Sequence, residues 1–277
     1  MRLSEVIDTE RYPLLDKTDA RRAALVAGLS ADLRKNQYCS LPAFIRQKAR
    51  EQAVADAKAV LPEANHNNSD RNCYLHRQRD PALPADHPRN MMFKSSTRMI
   101  AYDQIPAASP IRTLYHADAF RSFIADVVGA PELFDSADLY QPVNLLCYQP
   151  GDQSAWHFDS ENAFTMTLML QASESGGDFQ MAPNTRSDDD QRYSHVSEVL
   201  RGERPTEIVD VARETAALCI FRGCNSLHRV TPVTGKSMRI MAVFVYEAKP
   251  GVVGDPKVNA TIYGPRIACL LYTSRCV

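Results

Sequence analysis

The sequence predicts an α+β fold, mainly β, with N-terminal helices packed outside a double-sheet jelly roll or barrel. Two observations predict it. Before about Asp138 the chain carries helix-period apolar patterns and one long polar stretch. After it, short apolar or alternating runs follow at close spacing, separated by turn-forming segments such as PGDQ, ESGGD, RGERP, RGCNS and VTGKS. Many short strands joined by such turns read as a closed or double-layered β-structure.

Each element follows from its local pattern. Residues 19–33 place Ala23, Leu25, Val26, Leu29 and Leu33 near one helical face. Residues 41–60 repeat the period, with Pro42 in the first turn and Pro62 just past the end. Residues 62–90 are rich in Asn, Asp, Pro and Arg. They predict a long loop with one short strand around 73–76, of the kind that serves as a lid or binding loop. Residues 98–104 are a candidate strand. Residues 109–128 predict one helix, with Ser109 as N-cap, Pro110 at the first position and Gly129 after the end. Strands are expected at 143–148, 156–159, 164–171, 178–181, 207–211, 216–221, 228–232 and 239–246, with one helix at 193–200. Residues 1–268 read as one domain, helical over 1–137 with the β-core at 138–250. Residues 269–277 continue no pattern and read as a non-native tail, outside the fold.

Composition narrows the function classes. The 277 residues are 44% hydrophobic, a globular balance that excludes a fully disordered or collagen-like chain. The net charge is −1, from 32 Lys and Arg against 33 Asp and Glu, so global basicity drives no binding to nucleic acid or anionic lipid. No apolar run approaches the ~18 residues of a membrane span. The first residues are charged and lack the apolar core of a secretory signal, which predicts a cytoplasmic protein. Seven cysteines form no CxxC pair and several lie in apolar runs, as buried thiols in a reducing compartment do. A homodimer is left open.

The chemistry centres on Trp156-His157-Phe158-Asp159. In a strand, residues two apart share a face, so His157 and Asp159 present an imidazole and a carboxylate together. His228 stands at the start of another expected strand. Two histidines and one carboxylate on one face of a metal leave the opposite positions open, which suits non-haem Fe(II). Arg239 follows in the next strand, within KSMRIMAVFVY. An arginine in an apolar strand needs an anion, and its planar fork suits a carboxylate. A dicarboxylic co-substrate chelating iron at one end fits Arg239 at the other.

With these residues in place, the chain resembles the Fe(II)- and 2-oxoglutarate-dependent dioxygenases. The resemblance runs from about Asn144 to Tyr246, through CYQPGDQSAWHFDSENAFTMTLMLQ, GGDFQMAPN, AALCIFRGCNSLHRVTP and MRIMAVFVYE. These phrases, and HPRNMMFKSSTRMIAYDQIP before them, resemble the branch that acts on free amino acids and contains both hydroxylases and radical halogenases. The resemblance implies a double-stranded β-helix (jelly-roll/cupin-like) core, with Fe(II), 2-oxoglutarate and dioxygen as reactants. It implies His157, Asp159 and His228 as metal ligands, Arg239 as partner of the distal 2-oxoglutarate carboxylate, and Tyr148 in the co-substrate site. Halogenases of this family carry Gly or Ala at the position of Asp159. The carboxylate therefore implies a hydroxylase.

Substrate residues follow from chemistry alone. A free amino acid needs a cation for its carboxylate, and Arg89, Lys94 and Arg98 are candidates. Glu161 suits an ammonium group, with Ser160 and Asn162 beside it, and Trp156 could wall the pocket. The branch resemblance points to a cationic amino acid such as lysine or ornithine. Against that, Val243 and Val245 offer a side-chain amine no polar contact. Two other classes stay open: a cupin-type metalloenzyme without 2-oxoglutarate, which leaves Arg239 unexplained, and a non-catalytic ligand-binding jelly roll.

Overall fold

The computed structural model describes residues 1–159, 164–212 and 214–267. The helices are α1 (Leu3–Val6), α2 (Ala20–Asn36), α3 (Gln47–Val60), α4 (Pro110–Tyr115), α5 (Asp118–Val128), α6 (Tyr193–Leu200) and α7 (Pro256–Tyr263). The strands are β1 (Tyr38–Leu41), β2 (Asn65–Arg71), β3 (Phe93–Ile100), β4 (Phe134–Asp135), β5 (Val143–Tyr148), β6 (Ser154–His157) and β7 (Thr165–Gln171). They continue as β8 (Phe179–Ala182), β9 (Val209–Asp210), β10 (Leu218–Phe221), β11 (Leu227–Val230), β12 (Arg239–Phe244) and β13 (Tyr246–Glu247).

A seven-stranded sheet runs β1-β10-β7-β12-β5-β3-β2 and a four-stranded sheet runs β6-β11-β8-β9, all antiparallel. The two sheets and the helices form the expected jelly roll. The two-residue period of a strand divides the work of the large sheet. Leu145, Cys147, Ile240 and Ala242 face the helices and join Leu29, Leu33, Phe120 and Phe123 in the main core. Their neighbours Asn144, Leu146, Tyr148, Met241 and Val243 face the other way and line an inter-sheet cavity. On the small sheet's far side, Trp156, Ala182 and Leu227 pack against Val196, Val199 and Leu200 of α6.

Four expectations are corrected. Residues 41–46 are not helical: Leu41 ends β1, and the amides of Phe44 and Ile45 donate to the Ala216 carbonyl. Pairing with the sheet overrides the helical period there. The 62–90 segment is not all loop, because β2 pairs with β3 in continuous register from Asn65↔Met99 to Arg71↔Phe93. Its sequence NHNNSDR hides the strand because its cavity side is polar too. The strand expected at 73–76 is instead a turn, tied by Asn72, whose Oδ1 accepts from the amides of Tyr74 (3.0 Å) and His76 (3.1 Å). The 109–128 helix breaks at His116–Ala117 into α4 and α5. The break seats Tyr115 in a stack on Tyr246 at 4.9 Å, its hydroxyl donating to Val245 O and accepting from Ser136 N. Ser109 does hold the N-cap position but makes no side-chain cap bond, while Gly129 caps the end at φ +74°. The suspected tail lies outside the described residues. None of the described helices is long and apolar enough to cross a membrane.

One polar residue fastens the turn after β5 to β3. Buried Asp152 accepts from Gln149 N (2.8 Å), Arg98 Nη1 (2.6 Å) and the Ser96 hydroxyl. Asp152→Ala is expected to cost about 2–3 kcal/mol, less than a fully buried pair because Arg98 is partly exposed. A urea titration should show this as a lower midpoint with an unchanged slope.

Candidate metal centre and its cavity

His157 ends β6, and His228, on β11, is its direct cross-strand partner. The two rings lie 4.2 Å apart, centre to centre. Each Nδ1 faces a backbone carbonyl, Ala155 O at 2.8 Å for His157 and Ser226 O at 3.0 Å for His228. A carbonyl only accepts, so each Nδ1 carries a proton, and each Nε2 is the ring nitrogen turned toward the ligand position. Both Nε2 atoms face Asp159 Oδ1, at 3.7 Å and 3.4 Å. The three donor atoms fall within 4.8 Å of one another, and they are the one such group among the described residues.

The Asp159 carboxylate has a niche of its own. Thr165 Oγ1 donates to Oδ2 at 2.5 Å, which leaves Oδ1 to the histidines. The Asp159 amide donates to Gly223 O at 3.0 Å, and a Cβ at Gly223 would collide with the carboxylate. Burial, with His228 beside it, pushes His157 down to about 4, so this imidazole is neutral at physiological pH. Burial alone would raise Asp159. The two histidines and the Thr165 hydrogen bond outweigh it and hold the carboxyl well below its usual range. Two imidazoles and one carboxylate are the donor set that Fe(II) takes in a three-ligand facial site.

The three residues line an inter-sheet cavity of about 350 Å³. Arg239 is 1% exposed and stands opposite Tyr148 in register, its guanidinium 5.2 Å from the Tyr148 ring centre. Its Nη1 donates to Met241 Sδ at 3.2 Å. Gly177, at φ +69°, lies against the Arg239 stem, where a Cβ would come within 3.1 Å of Cδ. A buried planar cation beside the cavity wall fits one carboxylate of a dicarboxylic acid.

The expected substrate residues fare differently. Arg98 has the opposite strand parity to Thr97 and Met99, which line the cavity, and is paired with Asp152 on the other face. Trp156 likewise points away from His157 into the α6 core, under the Arg229 guanidinium. Arg89 packs over the rings of Tyr74 and Tyr193 and is not part of the cavity wall. Lys94 is exposed in an outer groove with Trp156. Ser160, Glu161 and Asn162 lie outside the described residues. The cation that does line the cavity is Arg71, at the end of β2. Arg71, Thr165 and Gly223 were missed by sequence reasoning. The odd-numbered residues of NHNNSDR, read as one strand face, would have found Arg71.

A family model described as Halogenase D matches residues 21–257. No curated protein matches the chain. Among solved structures it is similar to the non-heme alpha ketoglutarate dependent carbocyclase SnoK from nogalamycin biosynthesis. The identity is 14%, covering 79% of this chain and 82% of that one, with a TM-score of 0.55. AviO1 from Streptomyces viridochromogenes Tue57 gives 16% identity, coverage of 82% and 96%, and a TM-score of 0.53. A prolyl hydroxylase from Trichoplax adhaerens, in complex with a hypoxia inducible factor peptide fragment, gives 13%, 84% and 94%, and 0.53. At these identities the likeness to the three structures is one of fold.

Thr165→Val removes the hydrogen bond that orients Asp159. It is expected to weaken Fe(II) binding about ten- to a hundredfold, read by equilibrium dialysis of the metal. Undiminished affinity would count against the donor set described above.

Proposed function

The chain belongs to the halogenase D family of Fe(II)- and 2-oxoglutarate-dependent oxygenases, and on that premise we propose that it is a hydroxylase of a free amino acid. Dioxygen would place one oxygen atom in the product and the other in succinate, with CO2 released. His157, Asp159 and His228 would hold the iron, and Arg239 with Tyr148 the co-substrate. Bound iron and 2-oxoglutarate supply the activation of dioxygen needed to cleave an unactivated C–H bond.

The observation that carries the choice of hydroxylation is the Asp159 niche. A halogenase needs a coordination position for chloride, which a residue without a ligand atom leaves open. Here the carboxylate is present, Thr165 orients it, and Gly223 makes room for it. The remaining residues position and exclude. Ala155 O and Ser226 O fix the two imidazole orientations, and Phe179, Phe221 and Val230 keep the inter-sheet space apolar.

Arg71 supports the amino-acid reading. It is half-buried on the cavity wall, and its field at His157 is repulsive. Its Nε donates to Ser69 Oγ at 3.0 Å. No carboxylate among the described residues lies within 4.0 Å of it. A substrate α-carboxylate would satisfy that charge.

Anaerobic addition of Fe(II) and 2-oxoglutarate should give the weak visible band of a chelated keto acid, absent in His157→Ala and His228→Ala. In air, mass spectrometry across an amino-acid panel should find a gain of one oxygen. A chlorinated product in the presence of chloride would overturn the hydroxylase reading. Arg71→Ala should keep the visible band while raising the substrate KM about ten- to a hundredfold, the loss of one charged hydrogen-bonded contact.

A further inference from the structure

The cavity is closed by a helix that the apolar pattern does not announce. Arg239 and Tyr148 pair at one end of the inner face of β12 and β5, while Val243 and Asn144 pair further along. Four residues of strand separate Arg239 from Val243, about 13 Å at the usual rise. Tyr263 of α7 reaches that second rung, its hydroxyl donating to Asn144 Oδ1 at 2.6 Å. Val258 and Ile262 of α7 line the same cavity. The helix therefore stands at the end away from the co-substrate arginine, where the substrate side chain has to go. The family match stops at residue 257, just before Val258. Most of this helix therefore lies beyond the matched residues.

Polar groups hold the helix in place. Buried Asp138 accepts from Asn259 Nδ2 (2.8 Å) and Gly254 N (3.0 Å), and Gln141 Nε2 donates to Asn259 Oδ1 at 2.6 Å. At the other end, Asn65 and Asn67 of β2 both donate to Ile262 O, at 2.8 Å and 2.7 Å. Gly264, at φ +78°, lies so close to Asn65 that a Cβ would collide with its carboxamide. The two β2 carboxamides thus latch the end of α7 over the cavity.

The chemistry of this end is neutral. Val243, Val245, Val258, Ile262, Asn144 and Tyr263 meet there. Asp159 is the one carboxylate among the described lining residues, and it is held between two histidines. A side-chain ammonium at the α7 end would face valines and amides, with no carboxylate among the described residues lining that end.

We propose that α7 is the specificity wall of the substrate end, and that it selects a free amino acid with an uncharged side chain whose length Val258 and Ile262 limit. The proposal rests on the hydroxylase reading and replaces the cationic substrate that the branch resemblance implies. The test uses the wild type, Ile262→Ala and Val258→Phe on neutral aliphatic amino acids of graded length, with lysine and ornithine. The wild type should prefer a neutral amino acid over lysine and ornithine at least tenfold in kcat/KM. Ile262→Ala should shift the ratio toward longer side chains by about tenfold, and Val258→Phe toward shorter ones, as one or two methylenes in an apolar pocket do. Hydrogen exchange of amides 258–263 in the anaerobic Fe(II) and 2-oxoglutarate complex should slow with the preferred amino acid and not with lysine. Preference for lysine or ornithine overturns the proposal. So do identical length profiles in wild type and both variants, or exchange that no amino acid alters. Absence of the keto-acid band and of any oxygenated product in the wild type would instead sink the hydroxylase reading, and exchange of the same amides in the protein mixed with each amino acid alone would then decide the wall.

Discussion

Two imidazoles held side by side by backbone carbonyls are the constraint on which the rest of this molecule depends. His157 and His228 are cross-strand partners, and each ring is locked by a bond from its Nδ1 to a carbonyl two residues back, Ala155 O or Ser226 O. That lock fixes the ring orientations and points both Nε2 atoms at one spot. Asp159 completes the set only because Gly223 has no side chain and Thr165 offers a hydroxyl. Clustering these groups away from water is costly for the fold. The cost is offset by the large apolar core between the helices and the seven-stranded sheet, which faces the ligand-bearing strands across the cavity.

The alternation along those strands separates stability from chemistry. Ile240, Ala242 and Phe244 bind the helices, whereas Arg239, Met241 and Val243 face the cavity side. The same rule misdirects a reading that looks only for charged residues. Arg98 and Trp156 each stand one residue from a cavity-lining position, and each points to the opposite face. A shift of one residue exchanges an anchor for a ligand-facing group.

Recognition is spread over elements that come from distant parts of the chain. Arg71 and the latch residues Asn65 and Asn67 lie on an edge strand near the N-terminal third, and α7 closes the cavity from the other end. The polar character of β2, which makes it look like loop, is the character of a strand that faces solvent on one side and on the other presents Asn67 and Arg71 to the cavity. α7 was missed for a related reason. It is short, and it is fixed by Asp138, Asn259 and Tyr263 rather than by a wide apolar stripe.

Local chemistry was legible in the sequence. The HxD spacing, a second histidine opening a strand, and an arginine in an apolar strand announce a donor set and an anion partner, because strand period and ligand chemistry act over a few residues. The strand 143–148, the strand expected at 239–246, which the structure ends at Phe244, and the helix 193–200 were legible for the same reason. Tertiary structure decided which cation faces the cavity, where the single helix at 109–128 breaks, and what closes the substrate end. Those outcomes depend on pairing and packing between residues far apart in the chain. Asn65 meets Ile262 and Tyr263 meets Asn144 only after the sheet has closed, and no local pattern encodes a contact made at that distance.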